Sequence, residues 1–104
     1  MRVKAFKRLS IRLSSDMLCR LSAYTKRTGA MSDSASVQFI LLSFLNRPEL
    51  YPAVDAGELH LPQDIRTSFS LSGESVEQLD RQASLRGSTK TDCLRTALYY
   101  ALYL

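Results

Sequence analysis

RLSIRLS at residues 8–14 and RTSFSLS at residues 66–72 are one pattern written twice. In the first run Leu9, Ile11 and Leu13 alternate with Arg8, Ser10 and Arg12; in the second Thr67, Phe69 and Leu71 alternate with Arg66, Ser68 and Ser70. A period of two puts the apolar set on one face of a strand and the polar set on the other. The spacing between the runs is 58 residues, and the same offset carries Leu13 to Leu71, Ser14 to Ser72, Asp16 to Glu74, Leu21 to Leu79 and Gly29 to Gly87.

The residues downstream of each run repeat as well. Ser14 or Ser15 can cap a helix whose first turn holds Asp16, where an acid suits the helix dipole. Leu18, Leu21 and Thr25 recur at helical spacing, with Met17 and Tyr24 beside them, and Gly29 ends the stretch. Ser32 then caps a second helix with the stripe Val37, Ile40, Leu41, Phe44 and Leu45, stopped by Pro48. In the second copy Ser72 caps a helix carrying Val76, Leu79 and Ala83, which ends at Gly87. Thr89 caps the last, with Leu94, Ala97, Leu98, Ala101 and Leu102. Between Ser32 and Thr89 the offset is 57, so the first copy has one extra residue between its helices.

A unit of about forty residues is too small to enclose a core. A lone strand also cannot satisfy its own backbone groups. The pattern therefore predicts that the two strands pair antiparallel and that both copies share one core. The expected fold class is mostly α with a two-stranded antiparallel β-ribbon. The expected organisation is a single pseudo-dimeric domain over residues 1–104, with a first motif at 8–46, a linker at 47–64 and a second motif at 65–104.

Such a ribbon leaves its polar face open. A two-stranded ribbon fits the major groove of double-stranded DNA, arginine can bind guanine O6 and N7 together, and serine can meet several bases. The expected base contacts are Arg8, Ser10, Arg12, Arg66, Ser68 and Ser70.

The run RLSIRLSSDML, then Gly29 and a Ser-capped helix, resembles the ribbon-helix-helix DNA-binding superfamily of the MetJ, Arc and CopG type. GSTKTDCLRTAL in the second copy is similar to the start of that family's second helix. The resemblance covers about four-fifths of the chain, omitting the linker and the N-terminal arm. It implies two tandem ribbon-helix-helix motifs whose outward strand residues enter the major groove. It also implies that the start of each second helix holds a DNA phosphate through backbone N–H groups, at Ser32 and Asp33 in the first copy and Thr89 and Lys90 in the second. Asp33 stands where the second copy has Lys90, and an acid beside a phosphate is unfavourable unless it serves as a cap. The tandem layout and the stretch NRPELYP are similar to the TraY family of plasmid conjugation. That likeness implies binding at a transfer origin alongside a relaxase, and action on transfer-gene promoters.

Charge agrees with a polyanionic partner. The net charge is +4, and residues 1–46 hold eight Lys/Arg against two acids. Residues 47–64 hold one base against four acids, and residues 65–104 hold five against four. The basic excess thus sits in the first copy and its N-terminal arm, where Arg2, Lys4 and Lys7 are expected to contact phosphate ahead of the strand.

Other chemistry is sparse. Cys19 and Cys93 lack metal-ligand spacing and read as two reduced structural thiols. His60, the only histidine, lies in the linker and reads as a surface residue. No Ser/His/Asp set, Gly-rich phosphate loop or paired-carboxylate site is evident, so neither an enzyme nor a cofactor or metal site is expected. The linker holds all three prolines, yet Leu50, Tyr51, Val54, Leu59 and Leu61 are too apolar for a free tether, so part of it should pack on the domain. Tyr99, Tyr100 and Tyr103 suit core and rim packing, or a contact between neighbouring copies on DNA. No apolar run is long enough to span a bilayer, and MRVKAFKRLS lacks the apolar stretch of a signal peptide; the expectation is a cytoplasmic protein without membrane contact, monomeric in solution.

Two function classes are open on these grounds. The first is a sequence-specific DNA-binding protein, either a transcriptional regulator of a plasmid or mobile element or a relaxosome accessory factor. The second is a protein-interaction module such as an antitoxin. An antitoxin is expected to carry a long disordered tail, whereas this chain ends inside its last predicted helix.

Overall fold

The first strand runs two residues further upstream than the quoted motif, although the apolar–polar alternation begins only at Arg8. In a computed structural model that describes residues 6–52, 54 and 65–104, β1 spans Phe6–Leu13 and β2 spans Ile65–Ser72. They pair antiparallel as a two-stranded sheet. β1 stops at Leu13 because Ser14 turns its side chain to the next helix. Leu9, Ile11, Leu13, Phe69 and Leu71 are buried on the inner face.

Four helices of equal length follow the strands in two pairs: α1 (Ser15–Thr28) and α2 (Asp33–Asn46), then α3 (Gly73–Arg86) and α4 (Lys90–Tyr103). Each begins on a hydroxyl cap. Ser14 accepts from the Met17 N–H at 3.0 Å, Ser32 from Ala35 at 3.1 Å, Ser72 from Ser75 at 3.1 Å and Thr89 from Asp92 at 3.2 Å. Each such cap contributes about 1 kcal/mol. Gly29 and Gly87 end α1 and α3 at φ of 73° and 66°, a left-handed geometry that a Cβ would strain. No atom lies within 4 Å of where that Cβ would sit, so the dihedral alone selects glycine.

The core is one cluster built from both halves of the chain. α2 and α4 pack on each other at its centre, with Val37, Leu41, Phe44, Leu94, Ala97 and Leu98 fully buried. α1 and α3 each pack against both of them. On α1 the residues that reach the core are Met17 and Leu21, while Leu18 lies at its margin.

Hydrogen bonds cross between the halves. Ser34 and Gln38 of α2 accept from the Ser70 and Ser72 N–H groups of β2, at 3.1 and 3.0 Å. In return Arg95 of α4 donates from Nε to the Arg12 carbonyl of β1 at 3.0 Å. Each second helix thus ties down the strand that lies in the other half of the sequence, which satisfies backbone groups at the ribbon's outer edges.

The linker starts as packed structure. After α2, Pro48–Leu50 form a 3-10 turn. Tyr51 then sits edge-on to Phe44 and to Tyr100, with ring centroids 5.3 and 5.4 Å apart. Tyr100 donates its hydroxyl to the Pro52 carbonyl at 2.9 Å. Leu59, His60 and Leu61 lie outside the described residues. No helix among the described residues is long and apolar enough to cross a membrane.

Candidate nucleic-acid interface

The strand register decides which side chains share the open face. Arg8 opposes Ser70, Ser10 opposes Ser68, and Arg12 opposes Arg66. All six alternate with the buried set and so stand on the outer side of the ribbon. Arg8, Ser10, Arg12, Arg66 and Ser70 are exposed. Ser68 is half-buried, and Arg8 Nη1 reaches diagonally across the ribbon to its hydroxyl at 3.4 Å.

Ser10 and Ser68 are also repeat equivalents, since they differ by the offset of 58. The centre of the strand pairing and the centre of the repeat therefore coincide between these two serines. On either side the outer face is unequal. One end carries Arg12 and Arg66, and the other carries Arg8 and Ser70.

Two like charges directly opposed in an antiparallel pair destabilise it. Among the described residues neither Arg12 nor Arg66 forms an ion pair that would relieve this. Two guanidinium groups so placed can receive an anionic or acceptor-rich ligand across them. A cleft of about 290 Å³ opens beside the two arginines, lined by Ser10, Ile11, Arg12, Arg66, Thr91 and Arg95. Arg95 is nearly buried and held in place, with Nη1 2.6 Å from Asp92 Oδ1 as well as Nε on the Arg12 carbonyl. It fixes the backbone from which the Arg12 side chain projects.

The helix starts differ from each other. Ser32 and Thr89 are caps, and their hydroxyls are turned onto the first turn of α2 and α4. Lys90 is the first residue of α4 and half-buried. Asp33 points back into the domain, its Oδ1 2.8 Å from the Thr25 hydroxyl, which in turn lies 2.7 Å from Ser36 Oγ. Its carboxylate is thus occupied within the α1–α2 corner.

Lys7 does not precede the strand. It lies inside β1, in register opposite Leu71, because the strand pairing continues through it. It is exposed there, near the ribbon's end. Arg2 and Lys4 lie outside the described residues. Phe6, 64% exposed, shares the outer-face register with Arg8 and is absent from the expected contacts; extending the period-two count by one residue pair identifies it.

Several polar and aromatic side chains elsewhere are already partnered within the fold. Arg20 donates to Asp16 at 3.1 Å, and Tyr99 stacks on Tyr103 at 5.3 Å. The three tyrosines of α4 therefore pack against one another, α1 and the start of the linker. Cys93 is buried, which pushes its thiol pKa up, whereas Cys19 is exposed. The described residues contain no cluster of three metal-binding side chains, and no buried side-chain polar atom among them lacks a partner. No protein-family model, curated protein or solved structure matches the chain.

Proposed function

We propose that this chain is a sequence-specific double-stranded DNA-binding protein, built as two tandem ribbon-helix-helix motifs in one pseudo-dimeric domain, that inserts its β-ribbon into the major groove. The observation that carries the reading is the outer face of the ribbon. It presents three arginines and three serines, each alternating along its strand with an inner-face residue, with Arg12 and Arg66 directly opposite each other, a like-charge pairing that costs stability. A ribbon of this width fits the groove, and these side chains are donors suited to base edges. The basic excess of residues 1–46 supplies the sequence-independent part of the affinity. Within that reading the protein acts as a transcriptional regulator or as an accessory factor beside a relaxase.

Selection of bound fragments from a random duplex pool tests the proposal. The expected result is enrichment of one sequence family, bound more tightly than random duplex at the same salt. A pool that stays unenriched, with random duplex competing on equal terms, overturns sequence-specific recognition.

One observation favours the second reading, a protein-interaction module. Phe39 and Leu42 are 62% and 48% exposed in a shallow groove on α2, beside Gln78 of α3. That surface is apolar enough to hold a protein segment.

A further inference from the structure

We infer that the ribbon reads its site with a fixed polarity, the Arg12–Arg66 end taking a guanine-rich half-site and the Arg8–Ser70 end a half-site of different composition. The inference rests on the DNA-binding reading above and goes beyond it by assigning each end of the ribbon its own ligand chemistry.

The two ends can be compared position by position. The repeat offset of 58 makes Arg8 equivalent to Arg66, Ser10 to Ser68 and Arg12 to Ser70. The register places Arg12 with Arg66 and Arg8 with Ser70. Exchanging the halves about the Ser10–Ser68 centre therefore superposes an Arg–Arg end on an Arg–Ser end. The two ends differ by one guanidinium, and it is contributed by Arg12.

The surroundings reinforce the difference. At the Arg–Arg end α4 supplies Thr91 and Arg95 to the neighbouring cleft. At the other end α2 supplies Ser34 and Gln38, which are spent on the Ser70 and Ser72 N–H groups. Arg8, the one outer-face arginine of the described residues at that end, is drawn towards the centre by its contact with Ser68. One half of the groove thus meets two opposed arginines backed by a third, and the other half meets one arginine and one serine. A guanidinium fits guanine O6 and N7 in a bidentate way, whereas a serine hydroxyl accepts several bases. Such a surface satisfies both of its ends only on a non-palindromic site, and that gives the bound protein a direction along the duplex.

The difference between the strands can be removed by one substitution in either of two ways. Arg12→Ser writes Arg-Ser-Ser on the outer face of both strands; Ser70→Arg writes Arg-Ser-Arg on both. Consensus sites are selected from random duplex for the wild type and for each variant. The wild type is expected to give a non-palindromic consensus with guanines concentrated in one half. Arg12→Ser should lose about 5- to 150-fold on the wild-type site, the worth of one bidentate arginine–guanine contact, and its own consensus should become palindromic. Ser70→Arg should also become palindromic, with guanines in both halves. Both positions are exposed, and thermal melts confirm folding; if one variant fails to fold, the other still decides.

A palindromic wild-type consensus overturns the inference while leaving DNA binding intact. So does a variant consensus as asymmetric as the wild type's, or an Arg12→Ser loss that is the same on every duplex, which would make Arg12 a phosphate contact. A wild-type pool with no enrichment overturns the DNA-binding reading and this inference with it.

Discussion

Tyr103 donates its hydroxyl to Asp16 Oδ2 at 2.6 Å, tying the last turn of α4 to the first turn of α1. Arg20 donates to the same oxygen at 3.1 Å, and its guanidinium lies 4.1 Å from the centre of the Tyr103 ring. The Tyr103 hydroxyl, and then Arg20, hold the Asp16 carboxyl below its ordinary pKa. A carboxyl whose pKa is lowered on folding stabilises the fold above its unfolded-state pKa, and that contribution is lost as pH falls through the folded-state value. Tyr103→Phe should therefore raise the Asp16 pKa, read by NMR titration of its side-chain carboxyl. It should lower Tm at neutral pH, with the gap to wild type closing in acid. An unmoved Asp16 titration would mean that Arg20 alone sets the carboxyl.

Leu13 and Leu71 are fully buried, whereas Ser10, between them on the opposite face of the ribbon, is exposed. Truncating either leucine to Ala should cost about 2–5 kcal/mol in chemical denaturation, because the site cannot collapse between a strand and four helices. Ser10→Ala should leave stability nearly unchanged. The reverse ranking would place the apolar set outside and remove the face proposed to read bases.

The two thiols should separate cleanly. Cys19 lies on the outer side of α1, and Cys93 is 2% exposed with its pKa raised by burial. A thiolate-directed reagent should label one cysteine in the native protein and two after denaturation. Rapid native labelling of both would show that α4 opens readily from the core.

Much of this architecture is legible in the sequence. Hydroxyl caps at Ser14, Ser32, Ser72 and Thr89, glycines at 29 and 87, and two alternating strands are local signals, each set by backbone chemistry close in sequence. Relations across the chain are not legible in the same way. The repeat offset pairs Arg12 with Ser70 as equivalents, but only the register shows that Arg12 lies against Arg66. The ties from Ser34, Gln38 and Arg95 to the opposite strand depend on which helix covers which ribbon edge, a question that periodicity does not address. Lys7 misleads because its charge breaks the apolar–polar alternation and suggests an arm, while backbone pairing opposite Leu71 makes it part of the strand.

Those cross-ties bear on mass in solution. α2 braces β2 and α4 braces β1, so neither half retains its edge contacts alone. The intervening segment makes the encounter intramolecular, with an effective concentration on the order of mM for a short linker. Sedimentation at micromolar concentration should give a single species near the chain mass of 11.7 kDa. A stable species of twice that mass would mean that the halves exchange between chains.

Asp33 and Lys90 begin the two second helices and should respond oppositely to removal. Helix N-termini favour anions, and Lys90 adds a cation at the start of α4. If it meets a phosphate, Lys90→Ala should weaken specific and random duplex alike and lower the slope of log affinity against log salt by about 0.9. Asp33 is already bonded to Thr25 within the α1–α2 corner. Asp33→Ala should therefore cost about 1–2 kcal/mol of stability through that lost bond and leave the salt slope where it was. Tighter binding by Asp33→Ala, with an unchanged melting curve, would show instead that the carboxylate turns towards the duplex and repels it.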